Sequence, residues 1–298
     1  MSSKVLHLSK RGLIKPPSYA IDTQYEVLTG SISYGVSSDV SDNDIVGFCI
    51  PSKDVIFPHL AGKVSGFGKE YKRFDQFQQH HIFDKEGDRN YDVTVYNIVR
   101  FFHLCMDNNP NMLDALFVPQ RCILHITKIG NMVRDHRREF LHKGAWHRFK
   151  GYAYSQMHKI RTKNPEGKRR EIIEKFGYDV KFAYHVVRLL DEVEQILSSG
   201  DINLERSREY CKAIRRGEVT LAEIENHFTT QEAELEKLYH ASKLPYGPDE
   251  GKLKSLLLAC LEEFFGSLDK CVIHHVDAKN ILQDLEDLID KYKGKAYA

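Results

Sequence analysis

The 298-residue chain has no apolar run approaching the ~18 residues of a membrane-spanning helix, so a transmembrane protein is excluded. The segment Met1 to Lys15 has no apolar stretch of signal-peptide length. The six cysteines are Cys49, Cys105, Cys122, Cys211, Cys260 and Cys271. None forms a C-x-x-C pair and their gaps are long and irregular, which argues against a disulfide framework or a zinc site. A reducing, cytoplasmic compartment is therefore expected. The formal net charge is only +1, so any nucleic-acid surface must be a local patch rather than a global basic bias. The 15 histidines include no H-x-x-x-H or H-E-x-x-H pattern. The adjacent pairs His80-His81 and His274-His275 cannot share a helix or strand face, so no histidine metal site is expected. No internal repeat or low-complexity tract is present.

What is there is enough apolar residue, 42%, to bury a core, with 29% charged residues on a length that suits two domains. Before about residue 120, short apolar runs alternate with turns. Strands are predicted at Tyr25 to Leu28, Asp44 to Ile50, Phe74 to Phe83 and Tyr91 to Val95. Helical spacing follows over Tyr96 to Met106, stopped by Asn108-Asn109-Pro110, and a short helix runs through Leu113, Leu116 and Phe117. After Pro119 the pattern is helical, at roughly 125–142, 145–162, 178–199, 204–216, 220–242, 250–267 and 276–293. The expected fold is α+β: a catalytic domain with a mixed sheet over 1–120, then an all-helical domain over 121–298.

The most informative segment is Thr29-Gly30-Ser31-Ile32-Ser33-Tyr34-Gly35. A strand running into Gly30-Ser31 lets the backbone approach a phosphate, and a serine hydroxyl with the amides of a helix start can bind phosphate oxygens. Ten residues separate Ser31 from Asp42, and Asp44 follows at i+2, on the same strand face. Two adjacent carboxylates repel, and magnesium is typically held by one or two carboxylates plus substrate phosphates. Asp92, on a later strand, is the candidate third carboxylate, needed for a second ion that activates an attacking hydroxyl. Separately, Gly-Ser and Ser-Asp-x-Ser-Asp-x-Asp are also ordinary turn and cap chemistry. Their combination points to a site for a metal–nucleoside triphosphate.

At these residues the sequence resembles the DNA polymerase β nucleotidyltransferase superfamily. More narrowly, Gly30-Ser31-x-x-Tyr34-Gly35, Ser41-Asp42-x-Asp44-Ile45-x-Gly47 and Asn109-Pro110-x-x-x-Asp114-x-Leu116-Phe117 are similar to a predicted nucleotidyltransferase branch of bacteria and phages, which includes enzymes associated with RNA repair. The likeness covers about residues 22–120. It extends more weakly over 146–200 through Gly151-Tyr152-Ala153-Tyr154 and Lys181-Phe182-Ala183-Tyr184-His185-x-x-Arg188-Leu189-Leu190. Two departures are Asn43, where the superfamily more often has an apolar residue, and Asp114, where the branch often has Glu. The resemblance implies transfer of a nucleoside monophosphate from a triphosphate to an acceptor hydroxyl, with release of pyrophosphate. It implies two Mg2+ ions (Mn2+ as a substitute) on Asp42, Asp44 and Asp92, with Gly30 and Ser31 on the β and γ phosphates and Tyr34 in the same nucleotide-binding turn. The acceptor is left open among an RNA or other nucleic-acid end, a protein and a small molecule. A nucleotide-binding module without catalysis is the alternative from another class.

In the second half, Lys181, His185 and Arg188 fall at i, i+4 and i+7 of one helix. They form either a cationic face toward the triphosphate or a solvated helix face; Lys159 and Arg161 are weaker candidates. The segment Arg161 to Arg170 holds five basic residues in ten, which suits a nucleic-acid backbone or a solvated loop. A second basic stretch includes Arg134, Arg137, Arg138, His142, Lys143 and Arg148. Within it, Trp146 could stack on a base or pack in a core.

Overall fold

The computed structural model describes residues 3–37, 42–64, 66–68, 73–163, 166–267, 285–287 and 289. Ser38 to Ser41, Asn164, Pro165, Cys271, His274, His275 and most of the expected helix 276–293 lie outside the described residues.

Five strands, β1 (Thr23–Leu28), β2 (Asn43–Cys49), β3 (Gln76–Asp84), β4 (Arg89–Asn97) and β5 (Ile123–Ile126), form one mixed sheet in the order β3-β4-β2-β1-β5. Only β2 and β4 pair in parallel; the other neighbours are antiparallel. The two-residue period of the strands divides their side chains between two cores. Ile45 and Cys49 of β2, with Val93 and Val95 of β4, face a small core made with Val5, Leu8, Ile14 and Ala20. Phe48 and Ile50, with Tyr25 and Val27 of β1, face the larger core shared with the helices.

The first face is covered by α1 (Lys4–Lys10). Its start is tied to the sheet by the buried Glu26 carboxylate, which accepts from the Lys4 and Val5 amides at 2.7 and 3.3 Å and from the Ser3 and Thr23 hydroxyls. On the other face lie α3 (Ile98–Met106) and α4 (Pro110–Phe117), after a short α2 (Lys53–Ile56). The Asn97 and Asn109 side chains cap α3 and α4 by accepting from Val99 and Asn111 amides, and Pro110 occupies a position where a missing N–H costs nothing.

Strand β5 pairs with β1 just past residue 120, and the predicted helix over 125–142 is replaced by β5, α5 (Lys128–Asp135) and a 3-10 turn. Four apolar-leaning residues between turns cannot be told from a helix start by periodicity, and only pairing with β1 decides it. The remaining helices are α6 (Ala145–Thr162), α7 (Lys168–Phe176), α8 (Val180–Ser199), α9 (Arg208–Arg215), α10 (Leu221–Ala241) and α11 (Glu250–Phe265). They follow the predicted spans closely except α7, for which no helix is predicted and which takes in Lys168–Arg170 of the basic stretch. Helix α8 is buried on most sides and packs against α6, α9 and α10. It carries a stripe that reaches the sheet. Among the described residues no helix is long and apolar enough to cross a membrane.

Candidate active site

The site begins where β1 ends. Thr29 donates its amide to the Asp44 carbonyl at 2.8 Å, which fixes the Gly30–Ile32 3-10 turn beside β2. The carbonyls of that turn are consumed: Gly30 accepts from the Ser33 amide and hydroxyl at 3.1 and 2.9 Å, Ser31 from the Val36 amide at 3.0 Å, and Ile32 from the Gly35 amide at 3.1 Å. With its acceptors turned inward, the opposite, amide end of the turn is the side left to face an anion. Gly30 has φ +65°, and a Cβ at this position would overlap Oδ2 of Asp44. Only glycine lets the turn lie directly against that carboxylate.

Asp44 and Asp92 are register partners in the parallel β2–β4 ladder, so their side chains stand on the same face about 4.8 Å apart along the hydrogen-bonding direction. This is the face of Val46 and Phe48, the one toward the helical half. Asp42, exposed, lies just before β2. Burial first, and then the neighbouring charges of Asp92 and Asp42, push the Asp44 carboxyl up to about 6, while Lys181 acts in the opposite direction. Lys181 on α8 is thus in electrostatic reach of the carboxylates, across the gap between the halves.

Asp44 and Asp92 stand together in register, and the charge of Asp42 acts on the Asp44 carboxyl from the residue before β2. Among the described residues no group of three or more His, Cys, Asp or Glu side chains is gathered closely enough to hold a metal ion. Asp92 is drawn instead toward β3: its Oδ1 accepts from the His81 amide at 2.7 Å, and its Oδ2 lies 3.1 Å from Nδ1 of His80. The donor set still fits a hard divalent cation. It consists of carboxylate oxygens, and the Asp44 carboxyl, raised by burial first and then by the Asp92 and Asp42 charges, is a group whose charged form a cation would favour.

The α8 stripe is graded in depth. Lys181 is exposed and His185 half-buried. The His185 imidazole is held well below its ordinary pKa by burial and by Arg188, Lys181, Arg169 and Arg215, so it is neutral at pH 7. Arg188, expected on a phosphate-facing surface, is instead inside the protein at 5% exposure. It pairs with Asp114 of α4, with Glu192 at 3.3 Å, and with the Tyr34 hydroxyl, and its guanidinium lies 4.4 Å from the Tyr34 ring centroid. Tyr34, also expected at the nucleotide, is buried and directs its hydroxyl to Asp114. A seven-residue step along a helix conserves its face but not its depth, which only the packing of α4 against α8 sets.

The other basic candidates are mostly spoken for. Arg134 donates to the carbonyls of Leu116 and Val118 at 3.1 and 2.6 Å. Trp146 is a core residue whose Nε1 donates to Glu236 at 3.0 Å. Arg161 pairs with Glu225, Arg170 with Glu174, and Arg169 with Asp179. The sequence sets His80 and His81 aside as metal ligands, offers Asp114 only as a departure from the family pattern, and gives no role to Glu192. The interruption of alternation at Gln79-His80-His81 was the available signal for the first two, since a bulge breaks the period there.

A profile of the RNA repair pathway DNA polymerase beta family (RlaP) matches residues 17–242. The chain belongs to this family. The match takes in the whole site, from the Gly30 turn through Asp44 and Asp92 to α8, and ends at the start of the segment before α11. Among solved structures, the chain is similar to a nucleotidyltransferase-like protein from Exiguobacterium sibiricum, with 10% identity, 94% of this chain and 88% of that chain covered, and a TM-score of 0.27. Comparison with curated proteins returns no match.

Proposed function

We propose that this member of the RNA repair pathway family is a metal-dependent nucleotidyltransferase that moves a nucleoside monophosphate from a triphosphate to a hydroxyl at an RNA end, releasing pyrophosphate. The observation that carries this reading is the pairing of Asp44 with Asp92 across parallel strands, directly beside the Gly30 turn and within reach of Lys181. Asp44, Asp92 and Asp42 would hold Mg2+, or Mn2+ in its place, which when bound supplies charge neutralisation and a lowered pKa for the attacking hydroxyl. The chain's own residues then position the reactants. The amide end of the Gly30-Ser31 turn takes the terminal phosphates, and Lys181 neutralises charge from the α8 side. The neutral His185 accepts or donates a hydrogen bond at the same edge. Such chemistry depends on positioning and electrostatic complementarity, with no covalent enzyme intermediate.

The test is incubation with each α-labelled triphosphate and RNA, DNA and protein acceptors, with and without Mg2+, comparing the intact chain with Asp42→Ala. Label on the RNA end that depends on Mg2+ and falls at least a hundredfold in the variant is the expected result. Label on protein alone redirects the acceptor, and transfer that persists in Asp42→Ala removes that residue from the site.

Gly30→Ala makes a second expectation. The added methyl must displace the Asp44 carboxylate and forces a left-handed φ on alanine, a strain of about 1–2 kcal/mol. Initial rates should fall at least tenfold while the melting curve moves by only a few degrees. Wild-type rates in this variant would show that the turn does not need to touch Asp44.

A further inference from the structure

Strand β3 is the sheet's outer strand beyond β4, and opposite Asp92 its register breaks. Gln79 pairs with Val93 and Ile82 with Tyr91, so His80 and His81 together face the one residue Asp92. His81 has φ +56°, a left-handed conformation that is uncommon outside glycine. That conformation turns its amide onto Oδ1 of Asp92 at 2.7 Å, while His80 meets Oδ2 at 3.1 Å. On the same outer row of β3, Gln76 donates Nε2 to Gln78 Oε1 at 3.1 Å, and Gln78 Nε2 meets His80 Nε2 at 2.6 Å. With an amide donor on Nε2, that nitrogen accepts, and the ring N–H is the one at Nδ1, which donates to Asp92.

We propose that this bulge is a built-in aiming device for Asp92, with His80 a positioning residue that acts through the carboxylate, and with Gln78 setting its tautomer. Each Asp92 oxygen is held by one hydrogen bond and keeps a further lone pair for a cation, so the carboxylate is oriented before any ion arrives. Partners of this kind behind a ligand commonly change metal affinity by about 10- to 100-fold when removed. The proposal rests on the nucleotidyltransferase reading of Asp44 and Asp92. It adds residues that the aspartate pattern does not contain, and it explains why a strained backbone persists beside the pair.

Mn2+ binding to the full chain, followed by calorimetry and by the loss of the free-ion paramagnetic resonance signal, separates the cases without needing turnover. His80→Ala should weaken Mn2+ about tenfold. His80→Asn, whose amide can donate from nearly the position of Nδ1, should stay within about threefold of wild type. His81→Gly retains the amide and fits the positive φ, so it should also bind as wild type. Long-range nitrogen–proton correlation spectra should show His80 with its proton on Nδ1. Unchanged affinity in His80→Ala, equal loss in His80→Ala and His80→Asn, or a proton on Nε2 would each overturn the proposal. Asp44→Asn is the control. If it loses Mn2+ while His80→Ala does not, the aiming role alone fails; if it binds Mn2+ as wild type does, the metal reading and the aiming role fall together.

Discussion

Asp44→Asn should abolish nucleotidyl transfer and, at neutral pH, make the metal-free protein harder to unfold. Both effects come from burying a carboxylate beside two others. Burial, Asp92 and Asp42 raise the Asp44 carboxyl from 3.8 to about 6. A carboxyl whose pKa is higher in the folded than in the unfolded chain binds its proton more tightly when folded. Its contribution to stability is therefore most favourable below about pH 4 and is lost as pH rises through about 6. That rise corresponds to at most about 3 kcal/mol of destabilisation at pH 7, less for the part of the group that water screens. Asparagine removes the charge and keeps the shape. In EDTA at pH 7.5 the variant should melt several degrees above wild type, and the difference should vanish at pH 4. Transfer should drop about a thousandfold or more, since a ligand and its charge are lost together. Added Mg2+ and triphosphate should stabilise the wild type and leave the variant unmoved. A variant that is less stable than wild type in EDTA would mean that Asp44 makes favourable contacts that outweigh its repulsion.

Arg188→Met should cost about 3–5 kcal/mol, because it strands two carboxylates inside the protein. Asp114 and Glu192 are both buried beside this one guanidinium. Burial raises the Glu192 carboxyl well above its ordinary range, with Arg188 as the main opposing influence. The neighbouring acids in turn hold the Arg188 pKa well above its usual value against desolvation. Unfolding should shift downward by roughly 10 °C. Replacing the polar partners as a set, with Tyr34→Phe, Asp114→Leu and Glu192→Leu added, should recover most of that loss, since well-packed apolar groups often match a buried ion network. The cycle also decides between two roles for Arg188. Loss of triphosphate binding with an unchanged melting temperature would make it a nucleotide ligand; a lowered melting temperature that the set of replacements restores makes it the fastener between the Gly30 turn, α4 and α8.

That fastener also explains why the two halves share one core. Tyr34 follows the Gly30 turn, Asp114 comes from the Asn109-Pro110 helix, and Arg188 and Glu192 come from α8. The Gly30 turn is thus held from behind by the helical half, and Arg215 of α9 adds a further bond to the Val36 carbonyl at 2.5 Å.

The sequence by itself determined the local elements, because their causes are local. Short apolar runs between turns marked β2 and β4, and Asn109-Pro110 marked the stop of α3. It also put Gly30, Asp42, Asp44 and Asp92 forward as one chemical set, since strand periodicity alone puts i and i+2 on one face. Tertiary structure alone decided depth and pairing. Whether four residues at 123–126 are strand depends on β1 lying beside them. Whether Arg188 meets phosphate or Asp114 depends on α4 covering the inner end of α8. Whether Asp92 faces only Asp44 or is also held by His80 depends on a bulge in the neighbouring strand. These are contacts between residues tens of positions apart, and short-range periodicity carries no information about which surfaces the chain will bury against each other.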